Sequence, residues 1–208
     1  VFMDESPTGC WTNHHSIVEY KGQWYIFYHH NDYSPEFDKN RSARIDTIGF
    51  NPDGTIIKVI PTLRGVGNSD ARTQIQIDRY NEIAPTASIA YLNEANKFDG
   101  WKTLFKKSGA WVRYNRVEFG QEPVKQVKFR VLAPKGAKLE VSIAGGKSIA
   151  TVNVPRSNNW EIVSAPVKKS PTGLQDLKIT LKSGQAEVDW MIFDAKPWTA
   201  GGMQTGKY

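Results

Sequence analysis

Short runs in which apolar and polar residues alternate follow one another along the chain, a pattern that predicts β-strands. The first two runs, residues 17–20 and 24–29, flank Lys21-Gly22, a pair suited to a tight turn. They predict an antiparallel hairpin, in which the two outer ends lie side by side. That pairing gathers titratable side chains at one end of the hairpin, namely His14, His15, His29 and His30. A structural role is favoured for the last two.

A second hairpin is predicted from residues 43–50 and 55–60, joined by Asn-Pro-Asp-Gly at 51–54. Proline fixes φ and glycine accepts a positive φ, so this tetrapeptide favours a turn. Arg44 falls at an outward position of its strand and is expected to be exposed. Four antiparallel strands with this spacing predict one blade of a β-propeller or a small sheet. So small a sheet buries too little apolar area to be stable alone, so it must pack against other structure.

The alternation continues beyond a turn-rich connector at residues 61–70, and we place a domain boundary near residues 67–73. About eight further strands are predicted, at residues 73–78, 111–119, 126–132, 138–144, 148–154, 160–167, 175–181 and 187–194. Helical periodicity is nearly absent. Regularly spaced short strands of this kind predict a β-sandwich, so the chain is assigned to the all-β class.

The net charge and its distribution along the chain bear on whether the protein binds nucleic acid or a membrane. The formal net charge is +6, but the lysines are scattered as on a solvated face, so we expect no nucleic-acid partner. Binding of an acidic partner through this face remains an alternative. No apolar run approaches the roughly 20 residues that span a bilayer, so no membrane partner is expected. The single cysteine, Cys10, excludes an intrachain disulfide, and the start at Val1 lies within a pattern, so we expect preceding sequence.

Four motifs occur in order in the first third of the chain: residues 11–18, 22–29, 40–42 and 51–56. Together they resemble the C-terminal part of a family 43 glycoside hydrolase, a five-bladed β-propeller that acts on arabinose- and xylose-containing polysaccharides. The resemblance implies that residues 1–67 form the last one to two blades of such a propeller. It also implies an inverting arabinofuranosidase or xylosidase, with the earlier blades missing from this sequence.

Inversion requires a carboxylic acid that protonates the leaving oxygen and a carboxylate that activates water. The resemblance places these groups on the earlier blades. We therefore assign no catalytic residue in this chain, and Asp4 and Glu5 are interpreted as part of a surface loop. The 208-residue chain alone is predicted to be inactive.

The same resemblance implies roles for three residues of the propeller part. His15 would lie near the propeller axis and support a bound metal ion, commonly calcium, through water, since calcium prefers oxygen ligands. A buried His15 bonded to the backbone is the alternative. Arg41 follows Asn40, where the family usually has histidine, and would reach the substrate unless it forms a surface salt bridge. His14 would form the pocket wall and contact the substrate.

The rest of the chain resembles a family 6 carbohydrate-binding module, a jelly-roll β-sandwich often fused behind such propellers. The matching segments are residues 75–78, 109–119, 152–155 and 188–193. The resemblance implies that residues 68–208 form this module. Trp111 and Trp190 lie on predicted strands at positions that we interpret as inward-facing, and they are expected in the core.

Sugar recognition needs a flat aromatic platform and a few polar groups at its rim. By resemblance, Phe105 and Trp160 are the candidate aromatic residues. Glu187 stands where the family commonly has asparagine and is the candidate polar group. The alternative is a module that only packs against the propeller.

The resemblance also implies the structural calcium ion typical of such modules, for which Gln76, Asp78 and Asp194 could supply the oxygen ligands that calcium prefers. The expected partner is an arabinoxylan-like polysaccharide or oligosaccharide, together with the missing N-terminal blades. The expected location is secreted or periplasmic. The competing hypothesis is a non-catalytic carbohydrate-binding or structural β-sandwich protein.

Overall fold

The computed structural model describes Met3 and residues 14–30, 42–62 and 64–194. A three-stranded antiparallel sheet comes first, formed by β1 (His15–Tyr20), β2 (Gln23–His30) and β3 (Ser42–Ile48) in that order. Ile17 of β1 lies opposite Ile26 of β2. At the turn between these strands Lys21 has φ 52° and Gly22 has φ 78°, and two positive φ values define a type I′ turn. The first predicted hairpin is therefore confirmed.

The second predicted hairpin is only partly correct. The turn at 51–54 forms, with Gly54 N donating to Asn51 O at 2.9 Å. Beyond it, however, residues 55–60 form no continuous strand and make isolated bridges, Phe50 with Ile56 and Met3 with Val59. Strand β3 instead pairs along its whole length with β2.

A small buried cluster lies under this sheet and includes Ile26, Tyr28 and Ile48. Strand β1 is exposed throughout. The prediction that Arg44 is exposed was wrong: its residue exposure is 9 %, and its Nη1 donates to Thr62 O at 3.3 Å. The cause is the connector after β3, which crosses the face of the strand that the sequence pattern assigned to solvent.

Twelve further strands follow: β4 (Ser69–Asp70), β5 (Ile75–Gln76), β6 (Glu82–Ile83), β7 (Ala87–Tyr91), β8 (Trp101–Phe105), β9 (Trp111–Glu118), β10 (Gln126–Ala133), β11 (Ala137–Ile143), β12 (Lys147–Val154), β13 (Ser157–Pro166), β14 (Leu174–Gly184) and β15 (Ala186–Phe193). One six-stranded sheet has the order β13-β10-β15-β8-β7, with β5 beside β15. The other has the order β12-β11-β14-β9-β4, with β6 beside β9. All eight predicted strands appear, and β4, β6, β7 and β8 are additional.

One buried cluster takes side chains from both of these sheets, so they form a sandwich around a shared core. Val127, Phe129 and Val131 of β10 alternate into it and are fully buried. The only helical elements among the described residues are two short 3₁₀ turns, at Lys97–Asp99 and Ala144–Gly146. Within this described part, no helix is long and apolar enough to cross a membrane.

The expectation that Trp111 and Trp190 lie in the core was wrong, because both are only half-buried. On β9, Val112 and Tyr114 face inward, which turns Trp111 outward. On β15, the pairing with β10 shifts register between Trp190 and Val188, an irregularity that reverses the alternation.

Candidate functional site

The end of the first hairpin does bring histidines together. His14 N donates to Nε2 of His29 at 3.1 Å, and the two rings meet edge to face with centroids 5.7 Å apart. His15 is exposed in this chain, and His30 is buried. Arg41 lies outside the described residues, as do Asn40, Asp4, Glu5 and Cys10.

The predicted platform role of Phe105 was wrong. Its exposure is 1 %, and it belongs to the core of the sandwich. On β8, Thr103 and Phe105 both point inward, and Phe105 lies opposite Ala186 of β15. A ring held there has no face on which a sugar could stack.

Glu187 and Phe105 do line one cavity of about 200 Å³, together with Leu104, Leu132, Pro134 and Gln185. Within it Glu187 Oε2 lies 2.8 Å from Nζ of Lys102, an ion pair that occupies one of the two carboxylate oxygens. The cavity wall is therefore mostly apolar, with one neutralised carboxylate and no exposed ring.

Trp160 lies on β13 and is not among the residues that line this cavity. The guanidinium carbon of Arg130 lies 4.7 Å from the centroid of its ring, and Arg130 also donates to Asp189. The structure thus brings Phe105 and Glu187 together but separates Trp160 from them. One face of the Trp160 ring is covered by a cation that a carboxylate holds in place.

A larger cleft of about 450 Å³ lies on the outer face of the other sheet, and the sequence analysis did not predict it. Trp111 forms one wall, and Lys178 Nζ lies 4.4 Å from the centroid of its ring. Ser142 and Ile143 of β11, followed by Gly145 and Gly146, form the opposite wall. The turn at these glycines has φ near 77°, which glycine adopts without strain.

Arg113 organises the polar end of this cleft. Its Nη2 donates to Asp176 Oδ2 at 2.8 Å, and its Nη1 donates to Glu82 Oε1 at 3.1 Å. The hydrogen bond to Asp176 is the main reason that the pKa of Arg113 is raised, with Glu82 adding to it. The guanidinium is thus held in one orientation by two carboxylates, and Asp176 Oδ1 also accepts Arg116 N at 3.2 Å.

A row of side chains runs across the same face of the sheet, beginning at Trp111 of the cleft. Thr180 lies opposite Trp111, Glu140 lies opposite Thr180, and Thr151 lies opposite Glu140. Directly opposed residues of antiparallel strands point to the same face, so a ring, two hydroxyls and a carboxylate form one row. Glu140 Oε1 accepts from Lys182 Nζ at 3.2 Å. At roughly 4.8 Å between strands, the row is about 14 Å long.

The signal for Trp111 was present in the sequence. Ala110, Val112 and Tyr114 are the small or apolar residues that alternate inward, and all three are fully buried. Alternation then places Trp111 and Arg113 outward. However, Trp111 and Tyr114 lie on opposite faces of this strand, so the sequence alone permits either face to be the buried one. Only the packed core decides which face it is.

The residues expected to hold a structural calcium ion do not form a site that fits it. Both carboxylate oxygens of Asp194 accept backbone N–H groups, from Lys125 at 2.5 Å and Gln126 at 3.0 Å. Asp78 is buried beside Arg79, at 3.5 Å, and Gln76 pairs with Trp190 in the sheet. Among the described residues, no group of three or more His, Cys, Asp or Glu side chains could hold a metal ion.

A two-sheet sandwich that exposes a ring beside charged and hydroxyl-bearing side chains has the layout of a carbohydrate-binding module. The family described as "Carbohydrate binding module (family 6)" matches residues 85–195, which is 111 of the 208 residues. The chain therefore belongs to family 6 of the carbohydrate-binding modules.

Known relatives extend the similarity toward the N-terminus. The chain is 41 % identical over 55 residues to xylosidase/arabinosidase 43A of Humicola insolens, covering 26 % of this chain and 17 % of that protein. It is 21 % identical over 199 residues to an arabinoxylan arabinofuranohydrolase of Paenibacillus polymyxa, covering 90 % of this chain and 31 % of that protein. The chain thus spans less than a third of the length of these curated relatives.

Solved structures agree with the fold. A family 43 arabinoxylan arabinofuranohydrolase from Bacillus subtilis matches 94 % of this chain and 44 % of its own, with TM-score 0.61 and 22 % identity. A family 6 module from Clostridium stercorarium, in complex with cellobiose, matches 62 % of this chain and 98 % of its own, with TM-score 0.55 and 23 % identity. The resemblance to a family 43 glycoside hydrolase with an appended family 6 module is confirmed.

Proposed function

We propose that this chain is the C-terminal part of an inverting glycoside hydrolase that acts on arabinose- and xylose-containing plant polysaccharides. Residues 1–67 would complete its catalytic propeller, and residues 68–208 would form the appended module. The printed names of the relatives, xylosidase/arabinosidase and arabinoxylan arabinofuranohydrolase, support this assignment. Because such polysaccharides are too large to enter a cell, a secreted or periplasmic location belongs to the same proposal.

The missing N-terminal blades are the partner proposed for the three-stranded sheet. Its outer strand β1 is exposed over its whole length. Large apolar side chains on β1 and β2 are also exposed, namely Ile17, Val18, Tyr20, Trp24 and Phe27. An edge strand with such a surface is prone to aggregation unless another strand covers it, and a preceding blade would do so.

The function proposed for the module is to bind the polysaccharide at the Trp111 cleft. The observation that carries this proposal is the outward position of Trp111 at the head of a row formed with Thr180, Glu140 and Thr151. A sugar ring can stack its apolar face on the indole while its hydroxyls bond to the row. A linear chain would then lie across the strands.

Calorimetric titration of the purified chain with xylo-, arabinoxylo- and cello-oligosaccharides tests this proposal. The wild-type chain should release heat with at least one of them, and Trp111→Ala should lose at least tenfold in affinity. Trp24→Ala is the matched control, because Trp24 is also half-exposed, at 41 %, but lies on β2 of the three-stranded sheet, outside the module. No binding to any sugar, or equal losses in both variants, would contradict the proposal.

Catalysis is a separate part of the proposal. The pair of carboxyl groups that inversion requires would come from the missing blades. We therefore expect the pure 208-residue chain to leave aryl arabinosides and aryl xylosides intact, and clear turnover by it would contradict this expectation. In the complete enzyme, His15 is proposed to support a calcium ion through water, and His14 and Arg41 are proposed to contact the substrate.

The second candidate function is a module that only packs against the propeller. The burial of Phe105 and the cover that Arg130 forms over Trp160 favour it, since neither ring offers a free sugar platform. A role of Trp160 and Glu187 in sugar binding stays a prediction. Trp160→Ala in the same titration tests it: unchanged affinity would assign Trp160 to packing.

A further inference from the structure

Arg72 lies at a junction of three chain segments that are far apart in sequence. Its Nη2 donates to Glu122 O at 2.7 Å and lies 3.4 Å from Pro123 O, both in the loop between β9 and β10. Its Nη1 lies 3.8 Å from Oδ2 of Asp194, directly after the last strand. Both charged side chains are only 19 % exposed, so the contacts are largely shielded from water.

The side chain of Asp194 links the end of β15 to the start of β10. Its two carboxylate oxygens accept the backbone N–H groups of Lys125 and Gln126 at the start of β10. Its own φ is 32°, a left-handed conformation that a residue with a side chain adopts only when its surroundings hold it. The carboxylate therefore closes the end of the sandwich, and the Arg72 guanidinium lies beside it as the opposite charge.

Two backbone carbonyl oxygens and one carboxylate are the kind of ligands that a hard cation such as Ca²⁺ takes. This set carries a single negative charge, which one guanidinium neutralises and which leaves a divalent ion undercompensated. The planar guanidinium contacts this set with two nitrogens, Nη2 on the two carbonyls and Nη1 beside the carboxylate, whereas a spherical ion requires six to eight oxygens. The ligand set thus matches an arginine better than calcium.

The position of Arg72 is built in by a tight turn. Arg72 N donates to Asp70 Oδ1 at 2.8 Å, and Thr73 N donates to Asp70 O at 3.1 Å. Next to it, Ala71 N bonds to Glu118 O and Phe193 N bonds to Ala71 O, which ties the turn to both sheets. The backbone that carries the Arg72 side chain is thus fixed by hydrogen bonds to both sheets.

We propose that the Arg72 guanidinium takes the place of a structural cation in this module and makes the closure of the sandwich independent of metal. The expected thermal midpoint of the wild-type chain is the same in calcium and in excess chelator. Arg72→Ala removes the built-in cation and leaves the oxygens of Glu122, Pro123 and Asp194 without it. Its midpoint should fall by several degrees, and millimolar calcium should restore part of that loss.

Two controls distinguish this mechanism from a general loss of positive charge. Arg79→Ala removes a guanidinium that lies 3.5 Å from buried Asp78 but is 55 % exposed, and calcium should not affect its midpoint. Arg72→Ala with Asp194→Asn should lose the calcium response. If Arg72→Ala does not fold without metal, the recovery of folded protein on refolding with and without calcium replaces the melting experiment.

Three outcomes overturn the proposal. A chelator that lowers the midpoint of the wild-type chain shows that a metal is still required. A calcium response equal in Arg72→Ala and Arg79→Ala shows that the effect is not local. An Arg72→Ala variant whose midpoint or refolding yield does not respond to calcium shows that the guanidinium does not replace a cation.

Discussion

The ammonium group of Lys178 lies 4.4 Å from the centroid of the Trp111 ring, and Lys178 is paired in register with Arg113 on the neighbouring strand. The candidate cleft therefore presents a ring together with a cation at its face. In such an exposed setting a cation–π contact stabilises by about 0.5–1 kcal/mol, so a ligand can displace or share the ammonium at low cost.

Replacing Lys178 by methionine should weaken sugar binding about fivefold. Methionine is unbranched and keeps most of the length of the side chain but has no donor for a sugar hydroxyl, and one lost hydrogen bond costs about 1 kcal/mol. Calorimetric titration measures the change, with Lys169→Met, on an exposed loop, as the control. Tighter binding by Lys178→Met would mean that the ammonium only obstructs the ring.

Arg113→Lys should lower both the stability of the module and its affinity for sugar. Lysine keeps the charge but cannot bond to Glu82 and Asp176 simultaneously, and we expect a loss of about 1 kcal/mol in the free energy of unfolding. Urea unfolding measures it, with Arg156→Lys on the exposed surface as the matched control. Equal unfolding curves for the two variants would show that the hydrogen bonds from Arg113 to Glu82 and Asp176 do not stabilise the module.

Phe105→Ala should destabilise the sandwich by about 3–5 kcal/mol, because it leaves a cavity in the core. The matched control is Phe98→Ala, since Phe98 is 100 % exposed and its removal should change stability by less than about 0.5 kcal/mol. Chemical unfolding of both variants makes the comparison. A stable Phe105→Ala chain with reduced sugar affinity would instead restore the platform role expected from resemblance.

Tyr28→Phe should change the pH dependence of the three-stranded sheet. The Tyr28 hydroxyl donates to Asp46 Oδ2 at 2.5 Å, and Asp46 also accepts Thr62 N and its hydroxyl. Burial, with the hydrogen bond to Asp46, raises the pKa of Tyr28 well above its usual value. The stability contributed by this group is therefore complete below about pH 10 and is lost as the pH rises further.

Hydrogen exchange of the β2 amides, followed by mass spectrometry, measures this effect below and above about pH 10. Below it, Tyr28→Phe should exchange faster, because a buried carboxylate without one donor costs about 1–3 kcal/mol. Above it, the difference from the wild-type chain should shrink. A difference that is constant with pH would show that Tyr28 does not titrate in this window. Tyr20→Phe, exposed on β1, is the control.

The strands were largely predictable, but which side chains they bury was not. Long strands such as β10 carry a regular alternation, and their ends were predicted to within three residues. The two-residue strands β4 and β6 carry no period of their own, because they form only where β9 offers an open edge. Strands β7 and β8 were missed because a polar loop of nine residues separates them.

The predictions for individual site residues failed because a shift of one residue along a strand moves a side chain to the other face of the sheet. Phe105 was buried and Trp111 turned outward because packing of the core selected one of two phases of alternation. On β15 an irregular register reversed the alternation before Trp190. No local pattern reports such an irregularity, since it depends on the strand alongside.

By itself, the sequence determined the all-β class, the hairpin turn at Lys21-Gly22, most of the long strands and the two families that the chain resembles. These depend on local backbone preferences and on the two-residue period, which a single chain carries. Tertiary structure alone decided that Trp111 faces solvent beside Lys178 and that Arg72 meets Asp194. Such contacts join segments distant in the chain, and their free energy appears only once the sheets have packed.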